Sequence, residues 1–140
     1  MSDQDRKVEW HIERGKIWEF ARSCLNSSEA YYAEGAVAPP TFPRTLAFWA
    51  PPGGGERRGR GGMDMRRVLH GEQEFEYVRP LRAGDVLTSE SHVKDTFEKE
   101  GRRGGTMQFV LTETVFKDQT GEVVAYSRST TIQTGKPATS

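Results

Sequence analysis

A chain of 140 residues in which 20 lysines and arginines balance 20 aspartates and glutamates has no global charge with which to attract nucleic acid or an anionic membrane. Hydrophobic residues make up only 34%, which predicts one small core whose covering is completed by another subunit. A single cysteine, Cys24, excludes an internal disulfide, and without a charged-then-apolar leader or a long apolar run the expectation is a cytosolic protein with no membrane segment.

Lys7 to Ile12 alternates Val8, Trp10 and Ile12 against Lys7, Glu9 and His11, the pattern of a strand with one buried face. From Arg14 to Cys24 the apolar positions Ile17, Phe20, Ala21 and Cys24 recur at helical steps beside Lys16, Glu19 and Arg22. That stripe predicts a packed helix, with Cys24 as a buried structural thiol rather than a nucleophile. Asn26-Ser27-Ser28 breaks it, and Asn26 or Ser27 is placed to cap a short helix through Glu29 and Tyr32 that ends near Gly35. Val37-Ala38-Pro39-Pro40-Thr41-Phe42-Pro43 then reverses the chain: the prolines hold their predecessors extended, Thr41 stands at a cap position, and a helix first turn tolerates Pro43. This next helix closes at Trp49.

Pro51 to Gly62 is glycine-rich and carries Arg57, Arg58 and Arg60, a composition that predicts a mobile surface loop over 51–66. Four β-rich runs follow, Arg67 to Arg79, Asp85 to Phe97, Gly105 to Lys117 and Glu122 to Thr134, joined by turns at Pro80 to Gly84, Lys99 to Gly104 and Asp118 to Gly121. In the third run Met107, Phe109, Leu111 and Val115 share one parity, interrupted by Glu113, and Val110 and Phe116 the other, so both faces of the sheet expect a cover. Helices first and long antiparallel strands after predict an α+β, hot-dog arrangement: a long sheet wrapped around a central helix as a single domain over 1–140.

Several ordered blocks resemble one family. They are Glu13-Arg14-Gly15-Lys16-Ile17 with Phe20-Ala21, the Val37 to Pro43 run, Leu69-His70-Gly71-Glu72-Gln73-Glu74-Phe75-Glu76-Tyr77, Arg79-Pro80-Leu81-Arg82-Ala83-Gly84-Asp85, and Lys99-Glu100-Gly101-Arg102-Arg103-Gly104-Gly105. Together they make the chain similar to the MaoC-like dehydratase N-terminal domain, or FAS1-like dehydratase domain, of the hot-dog acyl-thioester hydratases and dehydratases. The resemblance implies that the Val37 to Trp49 layout shapes an acyl pocket, with Pro40, Thr41, Phe42, Leu46, Phe48 and Trp49 binding or backing the acyl group. Active members of the superfamily activate water with an Asp and a His spaced five residues apart before the central helix. At those positions this chain has Asn26 and Tyr31. An amide has no usable basic lone pair and a phenol with a pKa of about 10 is a poor base at neutral pH, so the dyad is missing. Pro39 and Pro40 also lack the backbone N–H groups that a thioester-oxygen site needs.

The resemblance thus implies a degenerate half that widens the acyl pocket beside a catalytic Asp/His-bearing partner, within an enoyl-CoA hydratase or 3-hydroxyacyl-thioester dehydratase of lipid or acyl-CoA metabolism. The partner is a separate MaoC-like subunit or a second copy in a homodimer; the thioester is carried by CoA or acyl carrier protein; no cofactor is needed beyond the CoA of the substrate. Two alternatives stay open: a non-catalytic acyl-thioester-binding homodimer, and a self-sufficient homomeric hydratase using His70 and Glu72. Glu72, Glu74 and Glu76 alternate along the strand that His70 begins, which more often marks a solvated or subunit-facing edge. Arg57, Arg58, Arg60, Arg102 and Arg103 are candidates for the phosphates of CoA, since guanidinium forks match phosphate oxygens. The short Arg-Gly run lacks interleaved aromatics, so no nucleic-acid partner is expected, and three scattered histidines with one cysteine give no metal-ligand spacing.

Overall fold

The computed structural model describes residues 7–49, 63–102 and 105–135. Strand β1 (Val8–His11) leads into helix α1 (Arg14–Ser23), 3-10 turns at Glu29–Tyr31 and Phe42–Phe48, and then β2 (Val68–Tyr77), β3 (Val86–Glu100), β4 (Thr106–Lys117) and β5 (Val123–Gln133). The five strands form one antiparallel sheet in the order β1-β3-β4-β5-β2. Each run predicted from alternation forms its strand, with ends shifted by a few residues: β3 continues to Glu100, past the turn expected at Lys99.

Helix α1 buries Ile17 and Ala21 completely and packs Phe20 edge-on against Phe42. It ends in a two-bond cap, with Asn26 N–H donating to the Ala21 carbonyl and Leu25 N–H to that of Arg22, both at 2.9 Å. The left-handed residue such a cap requires is Leu25, at φ 53°. Cys24 lies on the open side of this cap and is exposed, not a buried thiol as the helical stripe predicts, because the stripe ends one turn earlier at Ala21.

The short helix over Glu29 to Tyr32 is a 3-10 turn whose cap position is Ser28; Asn26 instead accepts from the Ser28 N–H at 3.0 Å. The helix after Pro43 is likewise 3-10 over Phe42–Phe48, and Thr41 occupies its cap position without a side-chain capping bond. Phe42 and Leu46 sink into a core shared with Trp10, Ile17, Leu81, Leu87, Phe116 and Ala125, so this segment lies with helix α1 on the face that the sheet wraps. Within the loop predicted over 51–66, residues 51–62 lie outside the described residues. Asp64 caps an ordered 3-10 turn, Met65–Arg67, through the Arg66 N–H.

Residues opposite one another in antiparallel strands share a face, so the register fixes the two faces of the sheet. The wrapped face carries Leu87, Phe116, Ala125 and Tyr77 at one end, then Ser91, Thr114, Ser127 and Gln73 further along. Its polar groups bond mutually: Ser91 to Thr114 hydroxyl at 2.7 Å and Gln73 Nε2 to Ser127 Oγ at 2.9 Å. On the opposite face Glu113 is buried beneath Arg128, Lys94 and His92. It accepts from Arg128 Nε at 2.6 Å and Lys94 Nζ at 3.1 Å, with His92 Nε2 at 3.4 Å, and Arg128 also holds Glu74 and Glu76. The hydrogen bond from Arg128, first among these contacts, keeps the Glu113 carboxyl below the usual carboxylate range. Among the described residues no helix is long and apolar enough to cross a membrane.

Candidate functional site

Where the proline turn meets the end of β2, two short chain segments are laced together. Ala38 N–H donates to the Leu81 carbonyl and Ala83 N–H to that of Ala36, both at 2.8 Å. Gly84, at φ 94°, completes the turn before β3, where its N–H donates to the Ile12 carbonyl at 2.9 Å. Between these segments lies a cavity of about 310 Å³, lined by Val37, Ala38 and Pro40 on one wall, Tyr77 to Leu81 on the other, and Tyr31. Its size is at the lower end of the ~300–1,000 Å³ typical of small-molecule sites, and its lining is mostly apolar.

The cavity walls are fixed by two polar devices. Tyr77 Oη donates to the Pro40 carbonyl at 2.5 Å, tying β2 to the proline turn, and burial raises the phenol to about 12, so it stays protonated. Arg79 Nη1 donates to Asp85 Oδ2 at 2.8 Å, the same oxygen that accepts the Arg82 N–H at 2.9 Å, and Asp118 stands 3.9 Å from the other Arg79 nitrogen. The Asp85 hydrogen bond holds the Arg79 guanidinium protonated beyond its ordinary range.

Of the predicted pocket residues, Pro40 lines the cavity. Phe42 and Leu46 are buried in the core that contains Ala38 and Leu81, and so stand behind the wall. Thr41 is exposed; Phe48, 81% exposed, and Trp49, which carries Lys16 over its ring at 4.3 Å, face away from the core. Tyr31 lines the cavity, whereas Asn26 is exposed and spends its side chain on the Ser28 N–H. The nearby backbone donors are also committed: Ala38 N–H to Leu81 and Phe42 N–H to the Pro39 carbonyl at 2.9 Å, while Pro39 and Pro40 have none.

His70 and Glu72 do not face one another. A register shift at Gly71 pairs His70 with Thr131 and Glu72 with Thr130, neighbours on β5, so the histidine lies on the wrapped face and the glutamate on the opposite one. Among the described residues no hydrogen bond or ion pair joins them; Glu72 instead accepts from Thr130 Oγ1 at 3.4 Å. Gly71 signals the shift, since a Cβ there would sit 2.8 Å from Ile132 Cδ1. Arg102 is exposed beyond Glu100, at the far end of β3 from the cavity. The 15 residues of that strand span about 45 Å, which separates it from the pocket of its own chain. Arg57, Arg58, Arg60 and Arg103 lie outside the described residues. Among the described residues no three His, Cys, Asp or Glu side chains gather as metal ligands.

The wrapped segment, the single curved sheet and its strand order define a hot-dog fold. Two solved structures share it at identities that establish the fold alone. The C-terminally truncated HadBC (3R-hydroxyacyl-ACP dehydratase) complex of Mycobacterium tuberculosis aligns with a TM-score of 0.73 and 21% identity over 94% of this chain and 98% of that one. The ChsH1-ChsH2 complex of the same organism aligns at 0.70 and 18%, over 96% and 84%. A UPF0336 protein of Streptomyces griseus is 38% identical over 126 residues, covering 82% of this chain and 79% of the relative. The FAS1-like dehydratase domain region matches residues 3–127, and the chain belongs to that family.

Proposed function

We propose that this chain is the degenerate subunit of an enoyl-thioester hydratase, or of the reverse 3-hydroxyacyl-thioester dehydratase, in acyl-CoA or lipid metabolism. It supplies acyl-pocket walls while a catalytic hot-dog partner supplies an Asp and a His. The observation that supports this reading is Tyr31: a phenol lines the apolar cavity, at the residue that the resemblance aligns with the histidine of active superfamily members. In hydration a base takes a proton from water as its oxygen bonds C3 of the enoyl group; C2 is then protonated, and the electron pair rests meanwhile on the thioester oxygen. Among the described residues the cavity lining offers neither an aspartate, a glutamate nor a histidine as that base, nor, at the proline turn, free N–H groups at residues 38, 39, 40 or 42 for the oxygen. Neighbours of the same fold described as two-component complexes favour a heteromeric arrangement. The exposed lone thiol suits a reducing, cytosolic setting.

The test is reconstitution. The purified chain, a catalytic MaoC-like subunit and their mixture are compared by loss of enoyl-CoA absorbance. Turnover that rises only in the mixture supports the reading, and equal turnover with and without this chain refutes it.

A further inference from the structure

We propose that the face of the sheet opposite the wrapped one docks a second copy of this chain about a two-fold axis. The inference goes beyond the acyl-pocket reading and does not depend on it. The register sets Leu69 beside Ile132, Ile132 beside Phe109 and Phe109 beside Phe97, an apolar row that crosses four strands on that face. Phe97 and Phe109 stack at 4.9 Å. None of the four belongs to the core on the wrapped side: Leu69 is 44% exposed, Phe97 37%, and the middle two are half-buried. A contiguous apolar row of this kind marks a contact surface, unlike single apolar residues scattered over a surface.

The flanks of the row identify what occupies it. Toward the β3-β4 turn stand Lys99, opposite Met107, and, at the foot of β2, Arg67, whose carbonyl accepts from the Thr134 N–H at 2.8 Å. On the other flank stand Asp95, opposite Leu111, and Glu72, which shares with Leu111 the neighbour Thr130. One flank is therefore basic at both margins and the other acidic at both. Lys99 Nζ lies over the rings of Phe97 and Phe109, at 5.3 and 5.4 Å, Asp95 accepts from the Thr96 N–H and Glu72 from the Thr130 hydroxyl, and among the described residues none of the three has an ion-pair partner. Arg67 keeps a 3.6 Å pair with Asp64 and is 31% exposed. A two-fold axis laid along the row, between two sheets packed about 10 Å apart, sets each flank on the opposite flank of the other copy. Lys99 then meets Asp95 of the second copy, Arg67 meets Glu72 and Met107 meets Leu111, each twice, while the apolar row packs on itself.

The test is sedimentation equilibrium of the purified full chain and of charge variants. The natural chain is expected to self-associate, and less tightly as ionic strength rises. Lys99→Glu and Asp95→Lys each turn two attractions into repulsions and are expected to weaken that association roughly tenfold or more. The double variant Lys99→Glu/Asp95→Lys exchanges the two signs and is expected to restore it, which a merely structural effect of either substitution would not do. A chain that stays monomeric, association indifferent to ionic strength, single variants that associate like the natural chain, as a contact through the β2 edge would allow, or a double variant no tighter than the singles each overturns the proposal.

Discussion

Asp85 holds one wall of the cavity through three hydrogen bonds, and alanine at this position removes all of them. Its carboxylate accepts from Arg79 Nη1 at 2.8 Å and Nη2 at 3.4 Å, and from the Arg82 N–H at 2.9 Å. Hydrogen bonds to charged groups contribute ~1.5–3 kcal/mol each when well buried. Here the Arg79 side chain is 38% exposed and that of Asp85 20%, so water and salt screen much of the pair. Asp118, at 3.9 Å, also retains a weak hold on the freed guanidinium. The net loss for Asp85→Ala is therefore about 2 kcal/mol, most of it from the 2.8 Å bond and the backbone N–H left open at Arg82. Urea unfolding reads this directly: with a slope of ~2 kcal/mol/M the midpoint falls by about 1 M at unchanged slope. Asp85→Asn, which keeps an acceptor for Arg82, loses about half as much. Octanoyl-CoA binding weakens in step, because Arg79 to Leu81 form the wall. If both variants unfold within about 0.5 kcal/mol of the natural chain, the bracket does not hold the wall and the reasoning fails.

Two further outcomes follow from features outside the cavity. Glu113 and Asp118 are held below the usual carboxylate range, chiefly by the hydrogen bonds from Arg128 and from the Thr120 hydroxyl respectively. Groups lowered in the folded state stabilise it above their unfolded value and lose that contribution as pH falls through the folded one, so stability declines below about pH 4.5. Glu113→Gln should flatten that decline in pH-dependent unfolding and cost about 2 kcal/mol at pH 7, since Arg128 retains Glu74 and Glu76; an unchanged acid slope rejects the assignment. Leu25 is 93% exposed at φ 53°, a backbone region that penalises a side chain and here gains no packing. Leu25→Gly is expected to raise the thermal midpoint slightly, by about 0.5 kcal/mol of stability, and a lower midpoint would mean that the side chain packs after all.

Alternation and turn chemistry made the sheet legible in the sequence, because long strands with one buried face leave a period of two that little else imitates. Two things defeated that period. The bulge at Gly71 inverts parity, so His70 and Glu72 share a face in the sequence and not in the sheet. A second shift, between Val93 and Asp95, does the same in β3. The cavity was legible only in part. Pro40 belongs to the turn that proline chemistry announces, but the facing wall is built by Tyr77 to Leu81, which the sequence presents as a strand end and connection. The apolar residues nearest the turn, Phe42 and Leu46, go to the core because a 3-10 segment directs them there, and Phe48 and Trp49 emerge into solvent. No local pattern announces the backbone laces joining residues 36–38 to 81–83, which bring distant segments together.

The division of labour is tested most directly in a reconstituted complex in which only the catalytic partner is altered. The rate of enoyl-CoA hydration is measured after the partner's Asp and His are replaced by Asn and Ala while this chain is left intact. The account predicts loss of turnover to the level of the lone chain, with the complex still assembled by size measurement. Turnover that persists, and is then abolished by His70→Ala in this chain, would contradict it.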